Sequence, residues 1–345
     1  MVQLSIKPEE GTKLLLKNLD SRRMRDVLEK RFGLKGGRKK TLDAIGREYK
    51  ITRERVRQIE AEALKQLAGP DQQQELAPLF GAMENHLKDH GDTMAEGHLM
   101  TTLADTRSMS HLKFLLTVGK RFTSLPETDQ CHLRWTTDKT SASIMEKTVI
   151  SVVEDLRHLG QPISHDALET LVREHTVRSG MNTAGSAAVS ACVHASKLIR
   201  TNPYGEYGLT EWARINPRGV KDKAYTVLAK IGKPLHFREV AQAINQVGWT
   251  RRKAHPQTVH NELIKDKRFI LVGRGLYALR EWGYEAGTVG DVLVSILKGV
   301  GRPVGKDEIV KLVLEKRFVK PNTILLNLQN KALFKRTEEG KFTLV

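Results

Sequence analysis

Residues 51–67, ITRERVRQIEAEALKQL, place arginines at 53, 55 and 57 and a glutamine at 58 along a stretch whose apolar residues recur at helical spacing. Val56, Ile59, Ala63 and Leu67 fall on one side of a helix with 3.6 residues per turn. Glu54, Arg57, Gln58 and Ala61 fall on the other, and Arg53 and Arg55 stand at the N-terminus. These side chains carry the groups that read base pairs. A guanidinium bridges guanine O6 and N7, a carboxamide pairs with adenine, and a carboxylate accepts from cytosine N4. A charged helix face also serves as a solvated surface laced by i,i+4 pairs, so the spacing alone leaves both uses open.

The elements around this helix favour the first use. In TLDAIGREY, Thr41 is placed to cap a helix, Asp43 sits in the first turn where the dipole favours an anion, and Leu42, Ile45 and Tyr49 share a face. Lys50 and Ile51 make a tight connection and Thr52 caps again, which spells a helix-turn-helix. In that motif the N-terminal part of the second helix enters the major groove. The candidate DNA contacts are therefore Arg53, Glu54, Arg55, Arg57 and Gln58, with Thr41 and the basic loop residues Arg38, Lys39 and Lys40 beside them.

Composition agrees. The 345 residues carry a formal net charge of +17 and 39% hydrophobic side chains, which describes a folded, basic chain suited to a polyanion such as duplex DNA. No apolar run approaches the ~20 residues of a membrane span, and MVQLSIKPEEGTKLLL lacks the pattern of a signal peptide. The expected location is the cytoplasm, with no membrane partner. Cys131 and Cys192 form no CxxC pair and are expected to be buried small hydrophobes.

Four later segments begin alike: DHGDTMAEGHLMTTL, HLGQPISHDALETLV, KIGKPLHFREVAQAI and GVGRPVGKDEIVKLV. Each offers a Gly turn, a polar entry and an apolar-periodic helix, followed by a further helical stretch and a strand-like pair. Helices followed by a hairpin spell winged helices. The expected fold is mainly α with small β-hairpin wings: a helix-turn-helix at 14–70, then winged-helix-like units at 79–138, 144–217, 219–284 and 287–345. Three segments rich in Gly, Pro or small polar residues, 68–78, 136–143 and 215–223, read as hinges.

Residues 18–67 resemble region four of sigma-70 family sigma factors, with the VLEKRFGL, TLDAIGREY and ITRERVRQIEAEAL helices in that family's order and spacing. The resemblance covers about a seventh of the chain. It implies contact of Arg53, Glu54, Arg55, Arg57 and Gln58 with bases and phosphates of a minus-35-type element. It also implies a surface for RNA polymerase around Val27, Leu28, Arg31 and Phe32. KGGRKK at 35–40 departs from the family's commonest loop and suits phosphate contact or a solvated turn equally. The sigma-factor region that captures melted bases is not visible in the sequence, and the resemblance therefore implies binding without strand opening.

Residues 219–284 resemble a HARE-type winged helix, a domain also found in the delta subunit of some bacterial RNA polymerases. Thr258, Val259, Leu263, Phe269, Gly273, Gly275, Leu276, Tyr277, Leu279 and Trp282 carry that resemblance and argue fold more than function. Arg251, Arg252 and Lys253 suit phosphate contact or a solvated loop. No GxxxxGK[ST], GxSxG or HExxH occurs, and His90 and His98 make a poor metal pair. The expectation is a non-enzymatic protein with no cofactor or metal, binding double-stranded DNA and RNA polymerase. The alternatives are a polymerase-associated interaction protein and a DNA-processing accessory protein.

Overall fold

The computed structural model describes residues 6–180, 185–249, 252–285 and 287–345. It divides into two compact units, residues 1–200 with 207–209, and 201–206 with 210–345.

The first unit opens with four helices: α1 (Pro8–Lys17), α2 (Arg22–Phe32), α3 (Leu42–Tyr49) and α4 (Arg53–Leu67). Their boundaries follow from capping chemistry. Ser21, Thr41 and Thr52 each accept a hydrogen bond from the backbone N–H three residues on. Between α3 and α4 the chain reverses through Lys50, which is left-handed at φ 54°, and the Ile51 N–H donates to the Gly46 carbonyl at 3.0 Å. A Cβ at Gly46 would stand 2.7 Å from the Ile51 oxygen, so this turn needs glycine. Val27, Ile45, Val56 and Ile59 form the small core, rimmed by Met24, Leu42, Tyr49 and Ile51.

After α4 come α5 (Pro70–Glu75), α6 (Ala77–Asp89), β1 (Thr93–Ala95), α7 (Glu96–Leu103), α8 (Met109–Val118), β2 (Thr123–Leu125) and β3 (Arg134–Thr136). The sheet runs β1-β3-β2, with Met94 and Ser124 both opposite Trp135. The same order then recurs. α9 (Lys139–Leu159), α10 (His165–Arg178), α11 (Ser186–Ala195), β4 (Ile199–Thr201) and β5 (Tyr207–Leu209) follow, and an Ile163–Tyr207 bridge takes the place of the first strand.

In the second unit, α12 (Val220–Ile231), β6 (Leu235–His236), α13 (Phe237–Val247), α14 (Pro256–Lys265), β7 (Phe269–Gly273) and β8 (Leu276–Leu279) make a sheet in the order β6-β8-β7. The chain ends with α15 (Val289–Val300), α16 (Lys306–Lys316), α17 (Pro321–Asn327), β9 (Phe334–Arg336) and β10 (Phe342–Leu344), joined by a Val304–Phe342 bridge. Each repeat is a helix, a short strand or bridge, two helices and a hairpin whose second strand pairs back to the first. This is the winged-helix topology.

The three segments read as hinges are ordered parts of these elements. Residues 68–78 form α5 and the start of α6, with Leu76 fully buried. Asp138 caps α9 by accepting from the Ser141 N–H at 2.7 Å, and Ile215 and Asp222 are buried. The residues that mark loops, Pro, Gly and Asp, also mark helix starts, and here they do the latter.

Four imidazoles line up within the first unit. His86 lies 4.4 Å from His90, His90 6.1 Å from His98, and His98 stacks on His194 at 4.0 Å, all between ring centroids. Burial first, and neighbouring imidazoles second, push His86 and His98 down to about 4, with Asp89 opposing the shift at His86.

Two outcomes follow from this packing. Gly46→Ala is expected to cost about 1 to 3 kcal/mol, because backbone must move to admit the methyl group; a denaturant midpoint equal to wild type would contradict the turn geometry. The histidines set a pH window. An unfolded imidazole takes its proton near pH 6.5, while the folded rings stay neutral down to about pH 4. Stability is thus lost as pH falls through that window, by ~1.4 kcal/mol per ring per pH unit at most. The melting temperature should drop between pH 7 and pH 5, where most carboxylates remain ionised, and His98→Asn should lessen the drop; an equal drop in that variant would refute the assignment.

Candidate nucleic-acid interface

On α4, periodicity separates two faces cleanly. Val56, Ala63 and Leu67 are fully buried and Ile59 nearly so, while Arg53, Glu54, Arg55, Arg57, Gln58 and Ala61 are exposed. The exposed polar groups bond chiefly to one another. Arg57 Nε and Nη2 donate to the two Glu54 carboxylate oxygens at 2.8 and 2.6 Å, and Arg55 Nη1 donates to Gln58 Oε1 at 3.1 Å. The Arg57 hydrogen bonds hold the Glu54 carboxyl below its usual range, and Glu54 in turn raises the Arg57 guanidinium. Both side chains of this pair remain more than half exposed, so it is easily exchanged for another partner. The face is an array of base-edge donors and acceptors that the protein leaves open.

The residues flanking α4 divide. Thr41 caps α3, accepting from the Ala44 N–H at 3.2 Å. Arg38 is exposed with no ion pair among the described residues, whereas Lys40 pairs with Glu48. Much of Lys39 is exposed, but desolvation and then Lys113 lower its ammonium, against Glu96. Lys39 therefore leans toward the first winged helix and is less available to phosphate than Arg38. Sequence reasoning passed over exposed Arg22 and Arg23 at the start of α2 and exposed Arg47 and Lys50 at the turn. Arg47, Lys50 and Thr52 line one open depression beside the N-terminus of α4. The signal for Lys50 was its place in the turn, which presents it to solvent.

The four residues assigned to polymerase contact are engaged inside the chain. Val27 and Leu28 are fully buried. Phe32 meets Phe114 of α8 edge-on at 5.2 Å between centroids. Arg31 bonds to the Lys40 carbonyl at 3.1 Å and pairs with Glu60 of α4 at 3.3 Å. Helix α8 packs against α1, α2 and α4, with Leu112, Phe114, Leu115 and Leu116 all fully buried. At Gly11 of α1 a Cβ would stand 2.7 Å from Leu79 Cδ2, so α1 lies directly on the winged helix.

In the second unit, Arg251 falls outside the described residues. Arg252 and Lys253 are exposed just before α14. The outward side chains of α14 are Gln257, Thr258, Asn261, Ile264 and Lys265, a far less basic face than that of α4. Among the described residues no group of three or more His, Cys, Asp or Glu is arranged to hold a metal ion, and no helix is long and apolar enough to cross a membrane.

Comparison with known proteins accords with this geometry. The chain spans roughly an eighth to a sixth of the length of the curated relatives it matches. One is the RNA polymerase sigma factor SigA of Nostoc sp., 57% identical over 51 residues, which are 15% of this chain and 13% of that protein. Another is SigA of Clostridium acetobutylicum, 48% identical over 64 residues, 18% of this chain and 17% of the relative. A third is SigA of Lactococcus lactis subsp. cremoris, 54% identical over 48 residues, covering 14% and 13%. The chain carries a sigma-70 region 4 domain at residues 15–68 and a HARE-HTH domain, the helix-turn-helix type named for its occurrence in ASXL and restriction endonuclease proteins, at residues 218–282, both of DNA-binding type.

Proposed function

We propose that this protein is a sequence-specific DNA-binding transcription factor related to sigma factors, which lays the first two turns of α4 in the major groove of a promoter-like, minus-35-type duplex. One observation carries the reading. Arg53, Glu54, Arg55, Arg57 and Gln58 all stand exposed on α4, opposite its buried stripe, and the bonds they make are chiefly to each other. Exchanging an exposed Arg57–Glu54 pair for a guanine edge gives up little, whereas a bidentate contact in the groove gains discrimination. Arg38, Arg47 and Lys50 supply phosphate contacts that fix register without reading sequence. The working location is the cytoplasm.

RNA polymerase is proposed as the protein partner because the relatives of residues 15–68 are named RNA polymerase sigma factors. A polymerase-associated interaction protein is the second reading. It is favoured by two aliphatic side chains that stand open on third helices of the repeats, Ile264 on α14 at 62% exposure and Leu326 on α17 at 64%.

Selection of bound sequences from random duplex DNA, with and without polymerase core, tests the first reading. A consensus recovered by the protein alone is the expected result; enrichment only in the presence of core would favour the second. On the selected site, Arg57→Ala and Gln58→Ala are each expected to weaken binding about tenfold and to relax preference at one position. Arg38→Ala should weaken selected and random duplexes alike. Equal loss on both duplexes for Arg57→Ala would remove base readout from the account.

A further inference from the structure

Charge is unevenly distributed among the winged helices. Residues 69–217 hold fourteen Lys and Arg against eighteen Asp and Glu, whereas residues 218–282 hold fourteen against five. The third helices differ as well. In the first unit α8 lies against α1, α2 and α4, and α11 lies against β1, α9 and α10. In the second unit α14 packs on α12, α13 and β7 of its own repeat, and its outer side stays open.

Beside the N-terminus of α14 runs a groove lined by Arg238, Gln242, Asn245, Gln246, Lys253 and Pro256, with no carboxylate. Asn245 fixes its shape. Its Nδ2 donates to the Ala254 carbonyl at 3.0 Å and its Oδ1 accepts from the Ala254 N–H at 2.7 Å, which pins the segment that presents Lys253. Arg238 and Lys253 are exposed, and neither is in an ion pair among the described residues. Four of the domain's five acids are engaged elsewhere. Arg268 takes Asp222 and Asp266, Glu239 accepts from the His236 N–H at 2.8 Å, and Glu281 accepts from the Tyr225 hydroxyl at 3.2 Å. The groove's positive charge is left uncompensated.

We propose that this groove is a second DNA site, in which Arg238 and Lys253 hold backbone phosphates of a duplex and the carboxamides of Gln242 and Gln246 donate to phosphate or sugar oxygens. The proposal rests on the reading of the chain as a duplex-binding protein. Phosphate contacts position a protein without specifying sequence. The groove therefore supplies salt-dependent affinity and α4 supplies choice of site. The acid-rich winged helices of residues 69–217, with their third helices packed inward, contribute neither.

The test compares full-length wild type, the double variant Arg238→Gln/Lys253→Gln and the control Lys120→Gln/Lys139→Gln, which removes two exposed lysines from the acid-rich segment. Each is titrated with selected and random duplexes across a salt series, with Arg57→Ala in parallel. Loss of two phosphate contacts is expected to reduce the slope of log affinity against log salt by about two, at about 0.9 per phosphate. Both duplexes should weaken by the same factor, and the control should match wild type. An unchanged slope in the groove variant, or an equal loss in the control, overturns the proposal. If the groove variant binds as wild type does while Arg57→Ala loses only the selected duplex, the second site fails and the reading of α4 stands. If wild type shows no preference between duplexes while the groove variant alone loses slope, the reading of α4 fails and the phosphate site stands.

Discussion

Everything in the first unit depends on one helix being buried along one side while the first two turns of its other side stay open. A 3.6-residue period puts Val56, Ile59, Ala63 and Leu67 in line, and burying that line leaves Arg57 and Gln58 facing outward. The angle at which α4 is held comes from the turn before it. There Gly46 lets the Ile51 carbonyl approach, Lys50 takes the left-handed conformation, and Thr52 caps the new helix. A side chain at residue 46 would push α3 from α4 and re-aim the arginines without touching one of them.

The support behind α4 comes from the first winged helix. Leu15, Leu28, Leu76, Leu79 and Phe114 are all fully buried. Glu75 accepts from the Asn18 side chain at 2.8 Å, and Gln66 donates to Asp20 at 3.1 Å. The helix-turn-helix is thus a rigid part of a larger body, and its α1–α2 face is closed by α8. An outside protein that docked on Val27, Leu28 and Phe32 would have to displace a helix whose apolar side chains are already buried there. Partners of this chain meet other surfaces first.

The two faces of α4, the caps at Thr41 and Thr52 and the hairpins of the repeats were legible in the sequence, because each is a local pattern over a few residues. The first strand of each repeat was not. Strands of two or three residues such as Leu235–His236, or single bridges at Ile163 and Val304, are too short to show alternation. They exist because the hairpin offers a free edge. The packing of α8 was equally invisible: SMSHLKFLLTVG reads as an apolar helix, and nothing in its periodicity says whether the core it joins is its own or a neighbour's. The same limit hid the fate of 68–78, where Gly69 and Pro70 announce a break in one helix but start another. In the candidate site, side chains set by helical phase were readable, whereas Lys39, drawn toward Lys113 and Glu96, was decided by a long-range contact.

The repeated winged helix shows how one topology is put to different uses. The third helix always has one face in its own core, and what covers the other face decides its role. Where residues 109–118 and 186–195 offer mostly small or apolar side chains, that face is covered within the first unit, by α1, α2 and α4 in one case and by β1 in the other. Where α14 offers Gln257, Thr258 and Asn261, no apolar surface is gained by covering it, and it stays in water. Cations follow the same division, because desolvating an ammonium or guanidinium costs more than packing returns unless a counter-charge comes with it. The chain therefore keeps its base-reading arginines and its uncompensated lysines on the helices it cannot afford to bury, and uses the acid-balanced repeats between them as structure.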